Sequence, residues 1–200
     1  MLERIVDDIT GHGWSVAPDF LPQDAIVRLA KETRQLSQNG GLRPAAIGKG
    51  GERSVNPGIR SDSIHWLEED SLTPPQRLYF DRLEELRLAA NRYLQLGLFE
   101  FEGHLAAYPP GTFYRKHIDR FQNDSLRTLT TILYLNPDWR TEDGGQMRLY
   151  LDGEQFLDVL PQGGILVTFL SDRFWHEVLP AKRERLSLTG WFKTRGGGMS

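Results

Sequence analysis

Residues 102–135 read EGHLAAYPPGTFYRKHIDRFQNDSLRTLTTILYL and carry the strongest indication of the fold. Three β-rich runs, 102–108, 113–119 and 128–135, are separated there by Pro, Gly, Asn and Asp. Similar short runs follow at 146–151, 155–160, 165–169, 175–178 and 185–192. Closely spaced short strands with turn residues between them are typical of sandwiches and jelly rolls. We therefore expect a mainly β fold with bracing helices and a double-stranded β-helix (jelly roll) core.

Three helices are predicted ahead of that core. The first begins at Leu2 and is broken by Gly11 and Gly13, after which 13–20 has the pattern of a short strand. The second opens at Pro22 and stops at the segment 39–41. The third starts at the capping-box sequence 73–76 and ends near Gly97. Its predicted apolar stripe comprises Tyr79, Leu83, Leu86, Ala90 and Tyr93.

A chain of 200 residues suffices for one sizeable core, so a single domain over residues 1–200 is expected. Residues 1–98 are predicted to form a support of helices and strands, and residues 99–193 the β core. Within the support, the Gly-rich segment 39–58 has too little apolar surface to order itself strongly, and we predict a mobile loop there.

Charge and composition exclude several functions. The formal net charge of −3 provides no general attraction for nucleic acid or an anionic membrane. The chain has no cysteine, so a metal site has to be built from His and carboxylate side chains. Acidic residues interrupt the first eight positions, and no later segment is long and apolar enough to span a bilayer. We expect a soluble, cytoplasmic protein that is a monomer or a weak dimer.

Two histidines and one aspartate form a candidate metal site. His117 and Asp119 lie two residues apart in a predicted strand, where alternation points both side chains to the same face. His176 begins another short strand, which a jelly roll can place beside the first. Two histidines and one carboxylate form the facial triad of non-haem iron(II) oxygenases. The alternative reading of His117 and Asp119 is a half-buried hydrogen-bonded pair.

Arg185 is the candidate partner for a dicarboxylate cosubstrate, because a buried guanidinium binds a carboxylate with two parallel hydrogen bonds. In the strand 185–192, alternation places Arg, Ser, Thr and Trp on one face and Leu, Leu, Gly and Phe on the other. Arg183 competes for this role, and Arg185 has the alternative of a surface pair with Glu184 or Glu177. Tyr134 lies in an apolar strand, where its phenol needs a partner: a bound carboxylate or a backbone carbonyl.

Residues 59–192 resemble the prolyl hydroxylases of the hypoxia-inducible-factor type and their bacterial relatives, within the 2-oxoglutarate oxygenases. The resemblance begins with Arg60-Ser61-Asp62 and Trp66, and continues through the segment from Tyr108 to Asp119. Further matches are Arg127, the run from Tyr134 to Trp139, Asp143-Gly144-Gly145, the run from Ser171 to Ala181, Arg185 and Trp191.

The resemblance implies a 2-oxoglutarate-dependent dioxygenase that hydroxylates a prolyl residue of a protein or peptide at C4. The enzyme would require Fe(II), 2-oxoglutarate and O2, and ascorbate is a further candidate cofactor. It implies that His117, Asp119 and His176 bind the metal. Tyr134 and Arg185 would bind the distal carboxylate of 2-oxoglutarate, with Tyr108, Val178 and Trp191 lining the same pocket. It places Arg60, Asp62 and Arg127 at the entrance for the polypeptide.

The substrate is the part of this interpretation that leaves alternatives open. We expect a loop of an abundant cytosolic protein, such as a translation factor or a ribosomal protein. Arg120-Phe121 follows Asp119 where the animal enzymes usually carry Asn, a departure that bears on substrate choice. The same iron chemistry on a small molecule or another side chain is the second hypothesis, and a non-catalytic jelly-roll sensor or binding module is the third.

Overall fold

The computed structural model describes residues 1–46, 54–120 and 126–195. The Gly-rich end, for which a frayed terminus is expected, lies outside these ranges. The helices are α1 (Leu2–His12), α2 (Gln23–Gln38) and α3 (Pro74–Leu94). The strands are β1 (Trp14–Ala17), β2 (Arg43–Pro44), β3 (Ser63–Trp66), β4 (Leu98–Tyr108), β5 (Tyr114–His117), β6 (Arg127–Tyr134), β7 (Met147–Tyr150), β8 (Phe156–Val159), β9 (Leu166–Leu170), β10 (His176–Val178) and β11 (Arg185–Thr194).

The strands form two antiparallel sheets. The larger has the order β1-β9-β6-β11-β4-β3-β2, and the smaller has the order β5-β10-β7-β8. Many neighbouring strands are therefore not consecutive in sequence, as β11 shows by lying between β4 and β6. This arrangement is the predicted jelly roll, and it brings β5 and β10 together although they are far apart in sequence.

Strand β11 separates two environments. Leu186, Leu188 and Phe192 belong to the apolar cluster that the three helices cover, so the helices brace the larger sheet from outside. Arg185, Ser187 and Trp191 alternate with them and therefore face the space between the sheets. Both faces of β11 are buried because one packs on helices and the other lines the interior.

A second apolar cluster fills part of the space between the sheets. The larger sheet contributes Ile132 and Phe169, and the smaller contributes Met147 and Leu149. Each fully buried side chain of this size stabilises the fold by about 1.5–3 kcal/mol. This cluster occupies the β7–β8 half of the interior, which leaves the β5–β10 half for polar side chains.

Two details of the predicted helices were wrong. Helix α1 continues through Gly11 to His12 and ends at Gly13, whose φ of 88° is accessible to glycine at little cost. At the end of α3, Tyr93 is 58% exposed, while Leu94 packs against the core instead. No helix within the described ranges is long and apolar enough to cross a membrane.

The first 98 residues contribute strands to the larger sheet as well as the helices that cover it. Strand β1 pairs with β9, and β3 pairs with β4. The predicted loop 39–58 contains β2, which pairs with β3, and the backbone N–H of Ala45 donates to the Asp62 carbonyl. Residues 47–53 of that loop, including Lys49 and Arg53, lie outside the described residues.

Gly190 is the glycine whose replacement should disturb the fold most clearly. A Cβ there would collide with the Phe101 ring and lie 2.6 Å from the Glu102 carbonyl oxygen, which belongs to the paired strand β4. We expect Gly190→Ala to destabilise the protein by about 1–3 kcal/mol, as overpacked cores do. Urea unfolding measures this loss. Gly11→Ala is the matched control: a Cβ there meets nothing within 4 Å, so this helical position should be stabilised by about 0.5–1 kcal/mol.

Candidate metal centre and its pocket

His117, Asp119 and His176 meet at one end of the space between the sheets. His117 is the last residue of β5, and His176 is the first residue of β10 and lies opposite it in the pairing register. The three candidate ligand atoms lie within 4.8 Å of one another. Asp119 Oδ1 is 3.7 Å from His117 Nε2, and Asp119 Oδ2 is 3.5 Å from His176 Nε2. Among the described residues this is the one such group of metal-ligating side chains.

Backbone carbonyls orient both imidazoles. His117 Nδ1 lies 2.7 Å from the Arg115 carbonyl oxygen, and His176 Nδ1 lies 3.2 Å from the Phe174 carbonyl oxygen. A carbonyl only accepts hydrogen bonds, so each Nδ1 carries the proton and each Nε2 keeps a free lone pair. The lone pairs of both rings therefore face the Asp119 carboxylate, as metal coordination requires.

Tyr114 fixes the His117 ring from the side. The two rings stack with centroids 3.5 Å apart and an interplanar angle of 13°. The Arg60 guanidinium lies 4.7 Å from the centroid of the Tyr114 ring. The position of His117 thus depends on packing as well as on its hydrogen bond.

Asp119 is held by hydroxyl groups that the sequence did not single out. The predicted strand extends to residue 119, but the observed strand β5 ends at His117, so Asp119 lies just beyond it and remains buried. Thr130 Oγ1 donates to Asp119 Oδ2 over 2.8 Å, and Ser171 Oγ lies 2.9 Å from Thr130 Oγ1. Thr130 lies opposite Trp191 in the strand register, on the inner face of β6. Alternation along β6 was the one sequence signal that pointed Thr130 inward.

The protonation states suit a cation. Burial and the neighbouring His176 lower the pKa of His117 to about 3, so this imidazole is neutral near pH 7. Burial alone raises the pKa of the Asp119 carboxyl, but the two imidazoles and the Thr130 hydrogen bond outweigh burial and lower that pKa below its usual value. Trp191 Nε1 also lies close enough to lower it, without making a hydrogen bond of good geometry. A carboxylate that faces the Nε2 atoms of two imidazoles can hold a divalent transition metal.

Thr130 offers a direct test of this support. We expect Thr130→Val, which keeps the shape and removes the hydroxyl, to weaken metal binding by about 10–100-fold, because Asp119 loses the donor that orients it. Equilibrium binding of Mn(II) measures the effect. Thr128→Val is the control: that hydroxyl donates to the Leu126 carbonyl and not to Asp119. Equal affinity of both variants would show that Thr130 does not position the carboxylate.

Arg185 lies deep in the same interior. Its side chain is 1% exposed, and its Nε donates to the Gly145 carbonyl over 2.9 Å. The hydrogen bonds among the described residues leave its two terminal nitrogens unused. Gly145 adopts φ 71°, and a Cβ there would lie 2.8 Å from the Ala181 Cβ, so this contact requires glycine. Arg185 pairs with neither surface acid, since Glu184 pairs with Arg34 and Glu177 accepts from Tyr150.

Two tyrosines flank the guanidinium. Arg185 Cζ lies 5.0 Å from the Tyr108 ring centroid and 5.1 Å from the Tyr134 ring centroid. Burial raises the pKa of Tyr134, and the nearby Arg185 partly opposes this effect. Tyr134 Oη is buried without a hydrogen-bond partner of good geometry among the described residues. A buried donor without a partner beside unused guanidinium nitrogens is suited to a carboxylate.

The remaining pocket residues divide between the two ends. Val178 packs with Tyr108 in a small apolar cluster. Trp191 lies six residues along β11 from Arg185, next to Asp119, so it can line the pocket only at the metal end. Arg183, the competitor of Arg185, is 40% exposed and donates to backbone carbonyls of Pro137 and Asp138.

The model of the 2OG-Fe(II) oxygenase superfamily matches residues 103–193. The crystal structure of a Pseudomonas putida prolyl-4-hydroxylase is 46% identical, covers 98% of this chain and 100% of its own, and superposes with a TM-score of 0.90. The chain belongs to this superfamily. A Trichoplax adhaerens prolyl hydroxylase, solved with a hypoxia-inducible-factor peptide fragment, is 27% identical, with a TM-score of 0.85 over 96% of this chain and 88% of its own.

Curated relatives of this oxygenase chain are longer proteins. Human Egl nine homolog 1 is 32% identical over 200 residues, which cover 96% of this chain and 46% of the relative. The hypoxia-inducible factor prolyl hydroxylase of Caenorhabditis elegans is 32% identical over 203 residues, which cover 95% of this chain and 28% of the relative. The chain thus spans less than half of each of these two relatives.

In this oxygenase the side chains expected at the polypeptide entrance form ion pairs within the protein. Arg60 Nε and Nη2 donate to Asp62 Oδ1 and Oδ2 over 2.6 and 2.8 Å, and the Asp62 side chain is fully buried. Arg127 Nε donates to Glu102 Oε1 over 2.9 Å, and its guanidinium lies 3.6 Å from the Trp191 ring centroid. The buried Asp62 side chain can therefore affect a bound polypeptide only by positioning Arg60.

A separate groove of about 330 Å³ lies between α2 and the segment that leads into α3. Its lining includes Glu32, Asn39, His65 and Glu68, and it shares no residue with the metal centre. His65 Nδ1 lies 3.1 Å from the Gly41 carbonyl oxygen, which accounts for one of its ring nitrogens. None of His12, His65 and His104 joins the metal-ligating group of the described residues.

Proposed function

We propose that this chain hydroxylates a prolyl residue, at C4, in a loop of a cytosolic protein such as a translation factor or a ribosomal protein. Per turnover, 2-oxoglutarate and O2 are consumed, one C–H bond becomes C–OH, and succinate and carbon dioxide are formed. The observation that carries the proposal is the converging triad with Arg185 behind it, in a chain 46% identical along its whole length to a solved prolyl-4-hydroxylase.

The metal would be held by His117, Asp119 and His176, a set of ligands that leaves positions open for the cosubstrate and O2. Ferrous iron with 2-oxoglutarate bound supplies the oxidising chemistry. Around it, the Arg115 and Phe174 carbonyls hold the Nε2 lone pairs in place, and Thr130 holds the carboxylate. Ascorbate would serve by keeping the iron reduced.

The distal carboxylate of 2-oxoglutarate would bind between Arg185 and Tyr134. Both offer donors that the described residues leave unused, and both are buried, where a charge-assisted hydrogen bond is strong. Tyr108 and Val178 would cover this end and exclude water. Trp191 would line the metal end, near the position of the reacting proline.

The polypeptide would enter past Arg60 and Arg127. Asp62 contributes by fixing Arg60, whose guanidinium covers Tyr114 and so reaches the His117 ring indirectly. The Trichoplax adhaerens relative was solved with a peptide fragment, which supports a peptide as the substrate class for this chain too.

Mass spectrometry of cell extract tests the proposal. Extract from cells lacking the chain is incubated with the protein, Fe(II), 2-oxoglutarate and ascorbate in air, and tryptic peptides are compared with a His176→Ala control. We expect a gain of about 16 Da on one proline of a surface loop, with hydrolysed peptide yielding 4-hydroxyproline. A gain of the same mass on free small molecules, or on another side chain, would contradict prolyl hydroxylation and favour the second hypothesis.

A further inference from the structure

His104 is a buried polar side chain without an assigned task. It lies on β4, where it faces Trp66 on β3 and Thr189 on β11 in the strand register. Its ring packs against two indoles, with centroid distances of 4.9 Å to Trp66 and 5.5 Å to Trp191, and the indole centroids are 6.2 Å apart. The residue is 1% exposed, whereas Trp66 is only partly buried and lies at the edge of the interior.

One ring nitrogen of His104 has unused hydrogen-bonding capacity. Nδ1 is buried and has no hydrogen-bond partner among the residues that the structure describes. Burial and the positive charges of Arg60 and Arg127 hold the pKa of His104 well below its usual value, so the ring is neutral and carries one N–H. Native structures pair nearly all buried polar groups, and exceptions are common where a ligand completes the site.

His104 lies near both the Arg127 guanidinium and the metal centre. Its neighbour Trp191 has the Arg127 guanidinium 3.6 Å from its ring centroid, and Trp191 lies opposite Thr130, which donates to Asp119. Three of the buried polar atoms that lack partners, on His104, Tyr134 and Trp191, belong to residues of the inner face of the larger sheet. Tyr134 is assigned to 2-oxoglutarate binding. His104 lies four residues along β4 from Tyr108, the residue opposite Arg185, so it is too far away to bind the same carboxylate.

A prolyl substrate has the complementary chemistry. Proline has no backbone N–H, so the amide before its ring offers only a carbonyl oxygen, and the amide after it offers a carbonyl oxygen and the N–H of the next residue. The compact apolar ring of proline suits the indole faces of Trp66 and Trp191. We propose that the ring N–H of His104 donates a hydrogen bond to one of these two carbonyl oxygens when the target proline lies against Trp66 and Trp191. This inference rests on the proposed function and makes His104 a specificity-determining residue of the substrate site.

Peptide binding without turnover tests the inference. The protein is loaded with Mn(II) and 2-oxoglutarate under nitrogen, and a library of blocked pentapeptides with a central proline is selected on it. We expect His104→Leu to weaken binding of the selected peptides by about tenfold or more, as loss of one buried hydrogen bond does. His104→Asn or His104→Gln should recover part of this loss, because an amide N–H can replace the Nδ1 or the Nε2 proton respectively. His65→Leu, a histidine on the neighbouring strand that lies in the separate groove, should bind as wild type does.

A second probe identifies the acceptor. Replacing one flanking carbonyl of the selected peptide by a thioamide weakens it as an acceptor. The wild type should lose affinity for one of the two thioamide peptides, and His104→Leu should not distinguish that peptide from the parent. Equal peptide affinity of His104→Leu and wild type would overturn the role of His104 while leaving prolyl hydroxylation intact. A wild type that selects no prolyl peptide would contradict the proposed function itself.

Discussion

His117→Ala is expected to lower the conversion of 2-oxoglutarate to succinate by more than about 100-fold, beyond the 10–100-fold that loss of a group supporting a ligand causes. His117 supplies one of three ligand atoms that lie within 4.8 Å of one another, and its Nε2 lone pair is kept free by the Arg115 carbonyl. Two remaining ligands bind a divalent ion weakly. Succinate formation without added substrate, measured over a range of Fe(II) concentrations, gives the result.

His12→Ala is the control for this variant, since His12 is exposed at the end of α1 and touches Trp14 rather than the metal centre. It should turn over 2-oxoglutarate as the wild type does. Recovery of wild-type turnover by His117→Ala at any Fe(II) concentration would remove His117 from the ligand set.

Arg185→Ala is expected to raise the 2-oxoglutarate concentration needed for half-maximal turnover by roughly 10–100-fold, while the metal affinity stays close to that of the wild type. The lost interaction is a buried, charge-assisted pair of hydrogen bonds, which contributes about 1.5–3 kcal/mol. Tyr134 would remain as the other donor to the distal carboxylate. The 2-oxoglutarate dependence of succinate formation and Mn(II) binding together measure the two halves of this expectation.

Two further variants separate charge from geometry at this position. Arg185→Lys keeps the charge but cannot form the planar two-bond contact, so it should recover only part of the affinity. Arg183→Ala removes an exposed arginine two residues away and should leave the 2-oxoglutarate requirement unchanged. An unchanged requirement in Arg185→Ala, with thermal unfolding showing an intact fold, would contradict the assignment of Arg185.

The sequence predicted the strands of the core well because their signal is local. Alternation along 185–192 separated Arg185 and Trp191 from Leu186 and Leu188, and the helices indeed cover the leucine face. The triad was predictable for the same reason. His117 and Asp119 are close in sequence, and the jelly roll pairs the strand of His176 with the strand that ends at His117.

The groups that support the site could not be predicted in this way. Thr130 on β6 contacts Asp119, and Ser171 in the turn after β9 contacts Thr130. Both contacts exist only after the larger sheet has formed. Hydroxyl residues are frequent in strands, so nothing in their local sequence distinguishes them. His104 is a similar case, because its missing partner is visible only when its neighbours are in place.

Helix ends and the 39–58 loop show the limits of composition. Gly11 resembles a helix terminator, yet the end is set at Gly13, where φ is positive. Strand β2 consists of two residues in a Gly-rich segment, and it forms because β3 offers an open edge. Burial of the Asp62 side chain depends on its pairing with Arg60, which composition does not reveal.

Calorimetric titration of 2-oxoglutarate into the anaerobic protein tests the central claim most directly, because metal and cosubstrate are predicted to share one site. With Fe(II) bound, one 2-oxoglutarate should bind per chain, and binding should become much weaker when the metal is removed or when His176 is replaced by alanine. Binding of equal strength with and without metal would contradict a shared site formed by His117, Asp119, His176 and Arg185.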